Sequence, residues 1–78
     1  MTNEKEIDLF IIRDNTVPTA RYVALFMANG GVCHCSEGAE AMHFADQAVA
    51  DKQTSELNKM RNRPGAYSTM IATTIGTR

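Results

Sequence analysis

The chain has 78 residues, a formal net charge of −1, 44% hydrophobic residues and 22% charged residues. This length predicts a single domain over residues 1–78, near the lower size limit for independent folding, and the balanced composition excludes a disordered chain. The small net charge argues against the strongly basic surface that nonspecific nucleic-acid binding requires.

The first predicted element is a strand over residues 6–13. These residues are rich in β-branched and aromatic side chains, and the polar residues and proline that follow them indicate a loop. A helix over residues 3–13 is the alternative, because the apolar residues of this segment also fit a period of 3.6.

Two further strands are predicted over residues 20–28 and 32–35. Asn29-Gly30 lies between the two apolar runs and predicts a hairpin with a type I′ turn, which needs positive φ at both central residues. The alternative for residues 20–28 is a short helix that starts after Pro18 and ends with Gly30 as its left-handed cap.

A long helix is predicted from Ser36, as N-cap, to about Asn62, before Pro64-Gly65. Its interior is rich in alanine and other strong helix formers. An apolar stripe predicts the face that packs on the sheet. This stripe contains Met42, Ala45, Val49, Leu57 and Met60.

The last predicted element is a strand over residues 66–75, rich in threonine and isoleucine. The order β-β-β-α-β predicts an α+β fold, in which one long helix packs on one face of a small antiparallel sheet.

The predicted strands carry apolar side chains on both faces, more than one helix can cover. Phe44 also points away from the predicted helix stripe. We therefore expect a contact surface for another protein, since monomers seldom expose large apolar patches. Its candidate residues are Phe10, Ile12, Tyr22, Phe26 and Phe44. The simpler interpretation is a shifted register and ordinary scattered surface apolar residues.

The function predicted from this surface is a non-enzymatic protein–protein interaction module. A small inhibitor from a phage or other mobile element, masking a host protein, is one form that such a module takes. We expect the partner to be another protein, such as a host enzyme or complex, together with self-association into a homo-oligomer. We expect no cofactor and no catalytic residues.

A basic segment offers a second hypothesis, binding of a nucleic acid or nucleotide. Lys59, Arg61 and Arg63 lie at the predicted helix end, and Tyr67 follows in the last strand. Arginine with a nearby tyrosine can bind phosphate and bases. The simpler interpretation is that cations at a helix C-terminus offset the helix dipole, so a nucleic-acid partner ranks below a protein.

The cysteines offer a third hypothesis, a small zinc or thiol protein. Cys33, His34, Cys35 and His43 are of metal-ligand type. On a strand, however, the two cysteines share one face and His34 points to the other, so the four cannot surround one ion. Two partly buried thiols are the simpler interpretation, and we predict no metal residues.

The N-terminal residues are polar and run into an apolar stretch too short for a signal peptide or a membrane span. We therefore expect a cytoplasmic protein without membrane contact. The residues show no resemblance to a known family.

Overall fold

Four strands and one helix make up the fold in a computed structural model that describes residues 5–77. The strands are β1 (Lys5–Asp14), β2 (Tyr22–Phe26), β3 (Val32–Cys35) and β4 (Tyr67–Thr77), and the helix α1 is Gln47–Met60. The sheet is antiparallel, in the order β3-β2-β1-β4, and α1 packs against β1 and β4. The predicted α+β fold and element order are confirmed.

Both regions with a helical alternative are strands. Residues 5–14 form β1, so the alternative prediction of a helix over residues 3–13 is wrong for the described part of that segment. Asn3, where that helix would have begun, lies outside the described residues. Residues 22–26 form β2. In each segment β-branched and aromatic side chains pair on a pleated surface, which outweighs an incidental helical period.

The β2–β3 hairpin is confirmed, but its turn is not type I′. Met27 and Gly31 are the last bonded pair, with Met27 N–H donating to the Gly31 carbonyl at 2.8 Å. Gly30 has φ +88°, whereas Asn29 is not among the residues with positive φ. A type I turn closed by a left-handed glycine fits this three-residue loop.

Helix α1 begins ten residues later than predicted. Its N-cap is Asp46, whose side chain accepts a hydrogen bond from Ala48 N–H at 2.9 Å, so the prediction of Ser36 is wrong. Between β3 and α1 the only helical residues in the described chain are a short 3₁₀ turn at Gly38–Glu40.

The segment before α1 is extended because it fills a gap in the sheet. β1 and β2 pair at Arg13 and Tyr22 and then separate. Phe44 exchanges two backbone hydrogen bonds of 2.8 Å with Phe10, and Met42 N–H donates to the Val23 carbonyl at 2.9 Å. These bonds satisfy backbone groups that a continued helix would have left unpaired in β1 and β2.

The face of α1 that meets the sheet is formed by Ala50, Thr54 and Leu57. The predicted stripe is therefore wrong at Val49 and Met60, which are 46% and 64% exposed, and at Met42 and Ala45, which lie before α1. The Thr54 hydroxyl donates to the Ala50 carbonyl at 2.9 Å and lies 2.8 Å from the Thr69 hydroxyl. With these bonds made, a polar residue occupies the interface at little cost.

The core lies between α1 and the sheet. Its buried members are Ile12, Val23, Leu57, Ala66 and Tyr67, with Phe26, Val32 and Phe44 packed against them. On the opposite face Ile11 is also buried, because the 3₁₀ turn covers it: a Cβ on Gly38 would lie 3.6 Å from Ile11 Cδ1. Within residues 5–77, no helix has the length and apolar character needed to cross a membrane.

The connection from α1 to β4 positions the start of the last strand. Asn62 has φ +50°, and Arg63 N–H donates to the Asn58 carbonyl at 3.1 Å, which is the Schellman ending of a helix. A turn with Pro64 and then Gly65, at φ +81°, follows and leads into β4.

Candidate functional site

Asp14, the last residue of β1, is a carboxylate buried inside the protein, with 0% of its surface exposed. Its Oδ1 accepts hydrogen bonds from the backbone N–H and the hydroxyl of Thr16, at 2.9 and 2.5 Å. Its Oδ2 lies 3.5 Å from Arg21 Nε and 3.7 Å from His34 Nε2, with no hydrogen-bond partner in the described residues. The guanidinium therefore provides the charge that a buried carboxylate needs.

His34 lies between Arg21 and Tyr67. Its Nδ1 is 3.2 Å from Arg21 Nη2, and its Nε2 is 3.0 Å from the Tyr67 hydroxyl. A guanidinium can only donate, so Nδ1 must accept and the imidazole proton must lie on Nε2. This assignment makes His34 neutral, with Nε2–H donating to Tyr67.

Tyr67 is the third member of this cluster, and Arg61 lies over its ring. Arg61 Nη2 donates to the Tyr67 hydroxyl at 3.1 Å, and the guanidinium carbon lies 5.6 Å from the ring centroid. The His34 ring also stacks on Tyr67, with centroids 6.0 Å apart and an interplanar angle of 18°. Cation–π attraction and stacking thus hold a ring that is only 2% exposed.

These surroundings change the pKa of two groups. Burial acts to raise the pKa of Asp14, but the bonds from Thr16 and the electrostatic interactions with His34 and Arg21 outweigh it, so this pKa is lowered. Burial is the largest cause of a lowered pKa at His34. Arg21 and Arg61 lower the pKa of His34 further, and Asp14 opposes them.

We expect the lowered pKa of His34 to make the protein less stable in mild acid. The unfolded chain takes up the imidazole proton near pH 6.5 and the folded chain only at lower pH. The free energy of unfolding should therefore fall as the pH drops below 6.5, by at most about 1.4 kcal/mol per pH unit. Urea unfolding at several pH values should show a flatter dependence for His34→Gln; equal pH dependence in the two proteins would contradict the assignment.

The cluster connects distant parts of the chain. Asp14 ends β1, His34 belongs to β3, Tyr67 begins β4, Arg21 precedes β2 and Arg61 is the C-cap of α1. Its residue types suit acid–base chemistry, but the Tyr67 hydroxyl is occupied by His34 and Arg61 and is closed to solvent. We therefore interpret the cluster as a crosslink that holds the sheet and the helix end together.

This cluster has little signal in the sequence. In the sequence, Asp14 and Arg21 belong to no predicted site, and His34 belongs only to the metal-ligand hypothesis. The one local signal is the spacing of Asp14 and Thr16, which is typical of a side chain that bonds the backbone two residues on.

The outer edge of β4 is a second candidate site, and a helix side chain closes its first position. Asn58 Oδ1 accepts from Tyr67 N–H at 2.7 Å, and Asn58 Nδ2 donates to the Tyr67 carbonyl at 3.2 Å. Asn58 thus takes the place that a neighbouring strand would have at Tyr67.

Beyond Tyr67, no other part of residues 5–77 forms backbone hydrogen bonds with the outer edge of β4, and this edge is called open below. Asn15 N–H donates to the Ala66 carbonyl at 2.7 Å, so the backbone of Ala66 faces β1 and that of Tyr67 faces outward. Backbone groups alternate along an antiparallel strand, so those of Thr69 and Ile71 also face outward. Ile71 is 53% exposed, and residues 67–77 contain no charged side chain.

We expect Asn58→Ala to lower the free energy of unfolding by about 1–2 kcal/mol, because two backbone groups of Tyr67 lose their partner. Urea unfolding would measure the loss. Ser55→Ala is a suitable control, since Ser55 is exposed on the same helix and should change stability little. Equal stability of Asn58→Ala and wild type would mean that water replaces the side chain fully.

The predicted contact residues do not form one exposed surface. Phe10 and Ile12 are 8% and 0% exposed, which corrects their predicted place on an uncovered face: their side of the sheet is the one under α1. Phe26 and Phe44 are half-buried and pack against the core, and Phe44 lies before the helix rather than on its back. Tyr22 is half-buried on the opposite face, in a concavity that Ile11 also lines.

The predicted nucleic-acid residues lie around the end of α1, but Tyr67 is buried, whereas Lys59, Arg61 and Arg63 are exposed. At 2% exposure Tyr67 cannot stack on a base, which corrects its predicted role. Both arginines are exposed, and Arg61 also donates a hydrogen bond to the Tyr67 hydroxyl. Lys59 is exposed beside Glu56, 3.9 Å away.

The cysteines are half-buried free thiols. Cys33 pairs with Leu25 and His34 with Val23, so neighbouring residues of β3 point to opposite faces as predicted. Cys35 Sγ contacts the Glu37 carbonyl at 3.2 Å. Within residues 5–77, no group of three or more His, Cys, Asp or Glu side chains is placed to hold a metal ion.

Comparisons of the chain with protein-family models, with curated proteins and with solved structures found no match.

Proposed function

We propose that this protein acts by binding another polypeptide, without catalysis of its own, and that the outer edge of β4 is its binding surface. The observation that carries this proposal is the open backbone of Thr69 and Ile71 in a strand without charged side chains. Natural edge strands are normally protected by lysine, proline or shortness. The opposite edge, β3, has only four residues.

Strand addition fits this edge better than other forms of binding. An added strand bonds through its main chain to an open edge, and alternate side chains contribute specificity. Met70 and Ile71 are 36% and 53% exposed and point to opposite faces of β4, so a strand laid here meets an apolar side chain on each face.

A charged side chain in the edge tests the proposal. We expect tagged Ile71→Lys to lose at least about tenfold of the bound protein that wild type retains, because lysine in an edge strand opposes pairing. Binding would be measured against extracts of the source cells and against untagged copies of the chain, with identification by mass spectrometry.

Leu25→Lys is the matched control. Leu25 is 52% exposed, close to the 53% of Ile71, but lies in β2 away from the β4 edge. This variant should retain the partner as wild type does. Equal retention by wild type and both variants, or retention of no protein by wild type, would reject the β4 edge as the binding surface.

A further inference from the structure

We infer that the strand added to β4 is β4 of a second copy of this chain, antiparallel, with a two-fold axis at Met70. This inference rests on the proposed use of the β4 edge. It also specifies which residues meet, because the open part of the edge is short and has a defined boundary at each end.

The open part of the edge is the stretch from Ser68 to Ile71. On one side Asn58 occupies the backbone of Tyr67. On the other side the strand has a bulge, since Phe10 pairs with Ile71 and Leu9 with Thr73, which leaves Ala72 without a partner in β1. A strand that adds to this edge must pair within these boundaries.

The boundaries select one register for self-pairing. An axis at Thr69 would bring Ile71 of one copy to Tyr67 of the other, which Asn58 already occupies. An axis at Ile71 would bring Thr69 to Thr73. Thr73 pairs with Leu9, whose backbone faces β4 as that of Ile11 does, so the groups of Thr73 face inward. An axis at Met70 pairs Thr69 with Ile71 twice, forming about four backbone hydrogen bonds.

The side chains and charges are compatible with this register. Met70 of each copy would lie opposite the other in a non-hydrogen-bonded pair, the closer of the two pair types. Thr69 would lie opposite Ile71, a β-branched pair that suits a sheet. Because residues 67–77 carry no charge, two identical strands place no like charges opposite each other, as a charged strand would.

The dimer would be one continuous sheet with both helices on the same face. The axis stands perpendicular to the sheet, so the edge patch of one copy meets the same patch of the other. About four hydrogen bonds and a few apolar side chains make a small interface, so we expect a dissociation constant on the order of tens of micromolar.

Sedimentation equilibrium of the full chain tests self-association. Wild type should convert from monomer to dimer over about 1–500 µM, around the expected dissociation constant. Met70→Lys should remain monomeric, because two lysines would face each other at the axis. Met27→Lys, at a methionine 47% exposed in the β2–β3 hairpin, should dimerise as wild type does.

Crosslinking tests the register. In a Cys33→Ser/Cys35→Ser background, Met70→Cys should form a covalent dimer under mild oxidation, because paired Cα atoms about 4.5 Å apart are within disulfide range. Ile71→Cys should crosslink at least about tenfold less, since its two copies would be about 8 Å apart. Equal crosslinking at both positions would overturn the axis at Met70.

The two proposals fail differently. A wild type that stays monomeric, while Ile71→Lys loses a different captured protein, overturns the second copy as partner and leaves strand addition in place. If wild type dimerises and neither Met70→Lys nor Ile71→Lys weakens the dimer, both proposals are overturned, because self-association would then use another surface.

Discussion

Replacing Ile12 with alanine should lower the free energy of unfolding by about 3–4 kcal/mol. Ile12 is 0% exposed and is among the largest fully buried side chains of the described residues. The change removes apolar contacts with α1 and the sheet and leaves a cavity that the surrounding side chains cannot fill completely. Because small domains have a total stability of about 5–15 kcal/mol, this loss should be evident in urea unfolding.

Ile7→Ala is the matched control for Ile12→Ala, since both isoleucines belong to β1. Ile7 is 42% exposed, so its truncation should cost less than about 1 kcal/mol. A loss of stability at Ile12 with unchanged partner binding by the folded fraction would establish a core role. If Ile12→Ala kept full stability and lost only partner binding, the burial of Ile12 beneath α1 would be contradicted.

Replacing Asp14 with asparagine should lower the free energy of unfolding by about 3 kcal/mol at neutral pH. Asparagine keeps the shape and one acceptor for Thr16, but its amide would face the donors of Arg21 and His34. This expected loss of stability lies at the lower end of the range for breaking a buried ion pair, because the Arg21 side chain is 42% exposed and water can partly solvate it.

Asp8→Asn is the control for this charge removal, since Asp8 lies in the same strand and also accepts from a threonine. Its Oδ1 accepts from the Thr74 hydroxyl at 2.7 Å in an exposed bond, so the change should cost less than about 0.5 kcal/mol. The pKa of Asp14 is lowered, so its stabilisation is present above pH 3.8 and is lost as the pH falls through the pKa in the folded protein. The difference between Asp14→Asn and wild type should therefore shrink in strong acid, and a constant difference would contradict the ion pair.

The segment before α1 illustrates why an element's start was harder to predict than its type. Ser36 followed by two glutamates resembles a helix N-terminus, and the alanines around it favour a helix. In the fold, Met42 and Phe44 instead form backbone bonds with β2 and β1, strands that lie far away in sequence. Tertiary hydrogen bonds outweighed a weak local preference.

The predicted buried face of α1 was wrong for a related reason. Thr54 reads as a polar, outward position, yet its hydroxyl has partners on Ala50 and Thr69 and faces the sheet. Met60 reads as apolar and inward, yet it is 64% exposed in the last turn of α1. Periodicity counts apolar residues and does not include the hydrogen bonds that a neighbouring strand offers.

Local chemistry in the sequence determined the four strands, the hairpin glycine, the end of the helix and the α+β class, because each depends on residues a few positions apart. Only the tertiary structure decided where α1 begins, which of its faces is buried, and that Asp14, His34 and Tyr67 meet. It also decided that Asn58 closes the first position of the β4 edge and that the bulge at Ala72 interrupts it. Each of these outcomes depends on a partner from another element of the fold, and spacing within one segment carries no information about that partner.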